Sequence, residues 1–117
     1  MSITLLGAGE IRQIAESLDL RPTKSLGQNF VIDSNTCQKI VRLAGITSSD
    51  HVVEIGPGLG SLTLALLQAS DKVTAIEIDK RLADQLEITA KSHGASLKDL
   101  VIINADAMEV DEIAGRP

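Results

Sequence analysis

The sequence predicts an α/β protein: half of a doubly wound parallel sheet, preceded by N-terminal helices. Three observations predict it. Up to residue 50 the apolar residues recur at helical spacing. From His51 onward, short β-branched runs alternate with helical stretches in the order βαβαβ. A glycine-rich turn joins the first of those runs to the helix that follows it.

Each element has a local reason. Leu5–Leu20 reads as a helix, because Ile11, Ile14, Ala15 and Leu18 fall at i, i+3, i+4 and i+7. Arg21-Pro22 ends it, since proline disfavours helix in the residue before it. Thr23–Phe30 has no period and contains Gly27, so it reads as a loop. Asp33 is placed to cap a second helix, with Cys37, Ile40, Val41 and Ala44 as its inward stripe and Gly45 as its closing glycine. His51–Ile55 is short, β-branched and followed by glycines, which predicts a buried strand. Gly56–Gly60 is a turn, Ser61–Ala69 a helix and Lys72–Ile78 a second strand. Asp79 caps a helix to about Ser92, with Ala83, Leu86 and Ala90 inward and Gly94 closing it. Leu100–Asn104 is the third strand; Asp106–Pro117 is acidic and weakly patterned, and the tail after Asn104 is expected to be poorly ordered. Right-handed crossovers then give strand order 3-2-1, with a ligand at the carboxyl ends of the strands, as in the first half of a Rossmann-like domain.

Composition bounds the function. The chain has 117 residues, 44% hydrophobic and 23% charged, which suits one domain with one core and argues against disorder. No apolar run approaches the roughly 18–20 residues of a membrane span, and the N-terminus has no signal-peptide pattern. The one cysteine, Cys37, cannot form an internal disulfide, which fits a cytoplasmic protein. Neither His51 nor His93 has partners at metal-ligand spacing, so no metal site is expected; both read as ordinary strand-start and helix-end residues. The net charge of −5, taken alone, argues against nucleic-acid binding. The excess is uneven, however. Residues 1–50 carry five basic and five acidic side chains, whereas residues 51–117 carry six and eleven.

The chemistry centres on Glu54-Ile55-Gly56-Pro57-Gly58-Leu59-Gly60. Glycines let the backbone turn sharply and approach a ligand closely, and the following helix offers free N–H groups. Glu77 lies 21 positions after Gly56, at the end of the second strand, where a carboxylate accepts hydrogen bonds from both ribose hydroxyls. An adenosine-containing ligand follows. Dinucleotide sites use G-x-G-x-x-G with pyrophosphate on the helix N-terminus. Here position 61 is Ser, and Glu54 precedes the loop; an acid there is awkward beside a pyrophosphate and suits a phosphate-free ligand with a cationic end, which makes Glu54 a candidate cofactor-binding residue. S-adenosylmethionine fits better: a ribose, a sulfonium, an ammonium and no phosphate. No G-K-[ST] follows, which excludes a P-loop. Asp106, after the third strand, can accept from the adenine amine, or can serve simply as a turn residue.

Gly27-Gln28-Asn29-Phe30, the 54–60 motif, Glu77-Ile78-Asp79 and Asp106-Ala107-Met108 stand in the order and spacing of rRNA adenine dimethyltransferases. From about Ile11 to Val110 the chain resembles that family, and Pro57 and Leu59 lean towards its KsgA-type, small-subunit branch rather than the Erm-type enzymes of 23S rRNA. The resemblance implies a class I methyltransferase fold and dimethylation of adenosines near the 3′ end of 16S rRNA. It implies that Gln28 and Asn29 enclose the methionine end of S-adenosylmethionine and that Gly56 and Gly58 line it. Glu77 is to bind the ribose and Asp106 the adenine amine, while Ile78 and Ala107 pack on the adenine faces. Residues 1–50 are then helices and a cofactor-flanking loop, and residues 51–117 the first half of the cofactor domain.

One departure matters. The family's catalytic Asn-Leu-Pro-Tyr motif follows a fourth strand, and this chain contains no Tyr. By resemblance it is an N-terminal part of the enzyme, with no catalytic residue of its own and a 30S precursor as partner of the whole. The exposed edge of His51–Ile55 is then expected to pair with a neighbouring chain or to be covered by another segment. A non-catalytic nucleotide-binding module and a different small-molecule methyltransferase are the other readings; the Gly27–Phe30 loop argues against the latter.

Overall fold

The structure, a computed structural model, describes residues 2–19, 33–111 and 113. Among the described residues the order is α1 (Ala8–Ser17), α2 (Ser34–Ala44), β1 (His51–Ile55), α3 (Ser61–Ala69), β2 (Lys72–Glu77), α4 (Lys80–Ser92), β3 (Leu100–Asn104) and a 3-10 turn (Ala107–Glu109). The three strands are parallel with β2 central, the expected order. Their register aligns Val52, Val73 and Leu100 across the sheet, then Glu54, Ala75 and Ile102 one step further on.

Those two rows face the helices. Val73, Ala75 and Leu100 are buried with Cys37 and Val41 of α2, Ala65, Leu66 and Leu67 of α3, and Leu86 and Ala90 of α4. A second cluster, Leu6, Leu59, Leu64 and Leu82, receives the α1 stripe Ile11, Ile14, Ala15 and Leu18. The capping expectations hold. Asp33 accepts from Thr36 N at 2.7 Å, Asp79 accepts from Arg81 N at 2.8 Å, and Gly45 adopts φ 67°.

Several boundaries and faces differ from expectation. The first helix begins at Ala8 rather than Leu5, because residues 2–7 run along the end of α4 instead. There Thr4 N donates to His93 O at 3.0 Å, and the His93 ring meets Thr4 Oγ1 at 2.8 Å and Glu10 Oε2 at 2.7 Å. At the other end Asp19 takes φ 55° and stops the helix, while Leu20 lies outside the described residues. On α2 only Cys37 and Val41 are buried; Ile40 and Ala44 are exposed, because the helix packs along one i, i+4 seam. β1 is not a buried strand. It stands at the sheet edge among the described residues, so Glu54 alone is buried and Ile55 is 69% exposed. β2 ends at Glu77, leaving Ile78 outside it. After β3, Asp106–Val110 is an ordered turn rather than a loose tail, since Asp106 caps it and Glu109 N donates to Asp106 O at 2.9 Å.

Candidate functional site

The site forms where β1 and β2 end. Gly56 N donates to Ile76 O at 2.9 Å and carries the β1–β2 ladder one residue further. The chain then reverses: Gly60 N donates to Pro57 O at 3.0 Å, and Leu64 N to Gly60 O at 3.0 Å as α3 begins. Gly56, Gly58 and Gly60 all have positive φ, at 71°, 58° and 100°. Gly60 is also crowded, since a Cβ there would lie 2.7 Å from Leu86 Cδ1 on α4. The space beside Gly56 is open, with no atom within 4 Å of where a Cβ would stand. The loop is thus packed against α4 at one end and free to receive a ligand at the other.

Glu77, the last residue of β2, is 5% exposed. Its Oε1 accepts from Gly58 N at 3.3 Å and its Oε2 from Asp79 N at 3.0 Å. Two backbone donors on one carboxylate fix its plane. Each oxygen keeps lone-pair capacity for a ligand hydroxyl.

Glu54 is placed differently. It faces the helices, 8% exposed, and Thr63 Oγ1 of α3 donates to its Oε1. Burial pushes its carboxyl up to about 7; the negative charge of Glu77 adds to the rise and the Thr63 hydrogen bond opposes it.

At the end of β3, Asn104 does a job the sequence reading did not assign. Its Nδ2 donates to Glu77 O at 2.9 Å and to Ile78 O at 3.1 Å, and Ala105 N donates to Glu77 O at 3.1 Å. These bonds tie the segment bearing Asp106 to the segment bearing Glu77. The spacing of a strand-terminal Asn opposite a strand-terminal acid was visible, but the register that pairs Glu77 with Asn104 was not. Asp106 Oδ1 accepts from Met108 N at 2.9 Å, the turn role expected as its alternative, while Oδ2 takes no hydrogen bond among the described residues. Ile78 is 68% exposed and Ala107 half-buried, so both have free surface beside the carboxylates. Gln28 and Asn29 lie outside the described residues.

A parallel sheet in this order, a glycine loop after β1 and a fixed carboxylate ending β2 define the class I methyltransferase form of the Rossmann-like fold. Comparison with known proteins narrows the class. The family model for ribosomal RNA adenine dimethylase matches residues 20–114, and the chain belongs to that family. A protein of Corynebacterium jeikeium named ribosomal RNA small subunit methyltransferase A is 60% identical over 119 residues, covering 98% of this chain. The chain spans 38% of that relative's length. Among solved structures, a Plasmodium falciparum dimethyladenosine transferase shares 33% identity at TM-score 0.62, over 69% of this chain and 29% of its own. The 23S rRNA methyltransferase ErmE shares 31% at TM-score 0.61, over 71% and 32%.

Proposed function

We propose that this chain is the S-adenosylmethionine-binding part of an enzyme that dimethylates adenosines near the 3′ end of small-subunit rRNA. The observation that carries the reading is Glu77, a buried carboxylate held by the Gly58 and Asp79 amides with acceptor capacity left for a diol. The relatives' names support the RNA substrate: at 60% identity the relative cited above is a small-subunit enzyme. Likeness to ErmE favours a second reading, large-subunit rRNA, but at 31% identity.

The residues present fit the cofactor. Open space beside Gly56 admits a ligand against the backbone, and the Glu77 carboxylate beside the loop suits a hydroxyl-bearing ligand better than a phosphate. When bound, S-adenosylmethionine supplies an electrophilic methyl group on a sulfonium. Glu77 accepts the ribose hydroxyls. Asp106 offers Oδ2 to the adenine amine while Oδ1 holds its own turn. Ile78 and Ala107 pack on the adenine faces, Gly56 and Gly58 line the ligand with backbone, and Gln28 and Asn29 enclose its methionine end. By holding the cofactor in one orientation, these residues would let proximity supply much of the rate.

In this reading residues 1–50 are helices and a loop flanking the cofactor, residues 51–117 are the first half of the cofactor domain, and the whole enzyme acts on a 30S precursor in the cytoplasm. No helix among the described residues is long and apolar enough to cross a membrane. With no Tyr in the sequence to stack on a flipped adenine, the 117 residues alone are expected to bind cofactor without methylating rRNA. Self-association through the β1 edge also belongs to the reading, and sedimentation over a concentration series tests it; a monomer throughout overturns it.

Calorimetry tests the cofactor. S-adenosylmethionine should bind, NAD should not, and Glu77→Ala should weaken binding. Binding of NAD with equal affinity contradicts the reading.

A further inference from the structure

Glu54 and Glu77 flank the same loop, yet only Glu77 has backbone donors. Glu54 is turned into the layer between sheet and helices, where among the described residues its side-chain donor is the Thr63 hydroxyl. Among the described residues the titratable group that acts on Glu54 is Glu77 from β2, while Glu54 itself and Asp33, at the head of α2, act on the Cys37 thiol of α2. Burial and the two acids raise the Cys37 thiol, which keeps it neutral. None of these groups offers positive charge, so near neutrality a proton offsets the charge of Glu54, consistent with its carboxyl being pushed up to about 7.

We propose that a cationic group of the ligand takes the place of the proton on Glu54, so that ligand entry expels a proton into solution. The inference rests on reading the site as one for S-adenosylmethionine. In the exchange a neutral carboxylic acid and a cationic ligand become a carboxylate–cation pair, and the proton passes to buffer. S-adenosylmethionine carries a sulfonium and an ammonium, S-adenosylhomocysteine keeps the ammonium alone, and adenosine has neither.

Calorimetry of the 117-residue chain with these three ligands, in two buffers of different ionisation enthalpy, counts the protons. At pH 6 S-adenosylmethionine should release close to one proton, and its affinity should rise by about tenfold between pH 6 and pH 8. Glu54→Gln should abolish both effects, and adenosine should show neither. Release with S-adenosylhomocysteine as well assigns the ammonium as the replacing group; release with S-adenosylmethionine alone assigns the sulfonium. Equal proton release by adenosine and S-adenosylmethionine overturns the inference, as does an unchanged count in Glu54→Gln. If that variant melts out before titration, the adenosine comparison in the unaltered chain decides alone. Absence of binding by all three ligands instead overturns the S-adenosylmethionine reading, and the inference with it.

Discussion

Glu54 and Glu77 are the same residue type on neighbouring strands, and their surroundings make them opposites. Glu77 ends β2 beneath two backbone N–H groups that fix its carboxylate. Glu54 lies one residue short of the end of β1, inside the helix-covered layer, where burial outweighs the single Thr63 hydroxyl. Both are almost wholly buried, so exposure does not separate them. The number and kind of donors does. One acid is held by loop amides at the mouth of the site, and the other lies in the helix-covered layer with its carboxyl pushed up to about 7.

The largest expected effect is on stability. Unfolded, Glu54 loses its proton near 4.5; folded, it does so near 7. Between those values the folded chain holds the extra proton, so the contribution is fully present below pH 4.5 and is lost as pH rises through 7. Folding free energy measured by urea titration should fall by about 3 kcal/mol across that window. Glu54→Gln should flatten the decline, and a decline of the same size in the variant would assign it to other groups. Asp33, held below the usual range by its capping bond from Thr36 N, and Asp79, held below it chiefly by the Arg81 side chain, contribute in the opposite direction and only at lower pH.

Next comes Glu77→Ala, which removes two charge-assisted bonds to a ribose and should weaken S-adenosylmethionine binding by about 30-fold at pH 7. Gly60→Ala tests the loop that lies between the two acids. A left-handed φ of 100° and the Leu86 contact should together cost about 1–2 kcal/mol by chemical denaturation. The smallest effects belong to the caps. Asp33→Ala and Asp79→Ala should each lower Tm by about 5 °C. Only Asp79→Ala should also weaken ligand binding, because its turn carries the amide that holds Glu77.

The sequence was most legible where the signal is local. Asp33, Asp79, Gly45 and the residues of β3 are where spacing and cap chemistry put them, because each depends on contacts within a few positions. It was least legible where burial depends on distant partners. The exposure of Ile55 follows from β1 standing at the sheet edge among the described residues, and that of Ile40 from the seam between α2 and α3. His93 read as an ordinary helix end, yet its partners are Thr4 and Glu10, more than 80 positions away. At the site, the glycine loop and Glu77 were readable from the motif, whereas the burial that raises the Glu54 carboxyl and the Asn104 clip required the fold.

A crystal structure of the 117-residue chain grown with S-adenosylmethionine tests the site most directly. The ribose hydroxyls should lie within about 2.6–3.2 Å of the Glu77 carboxylate, with the adenine amine on Asp106 and the ligand backbone along Gly56 and Gly58. A ligand bound elsewhere, or bound here with its ribose turned away from Glu77, would contradict the assignment.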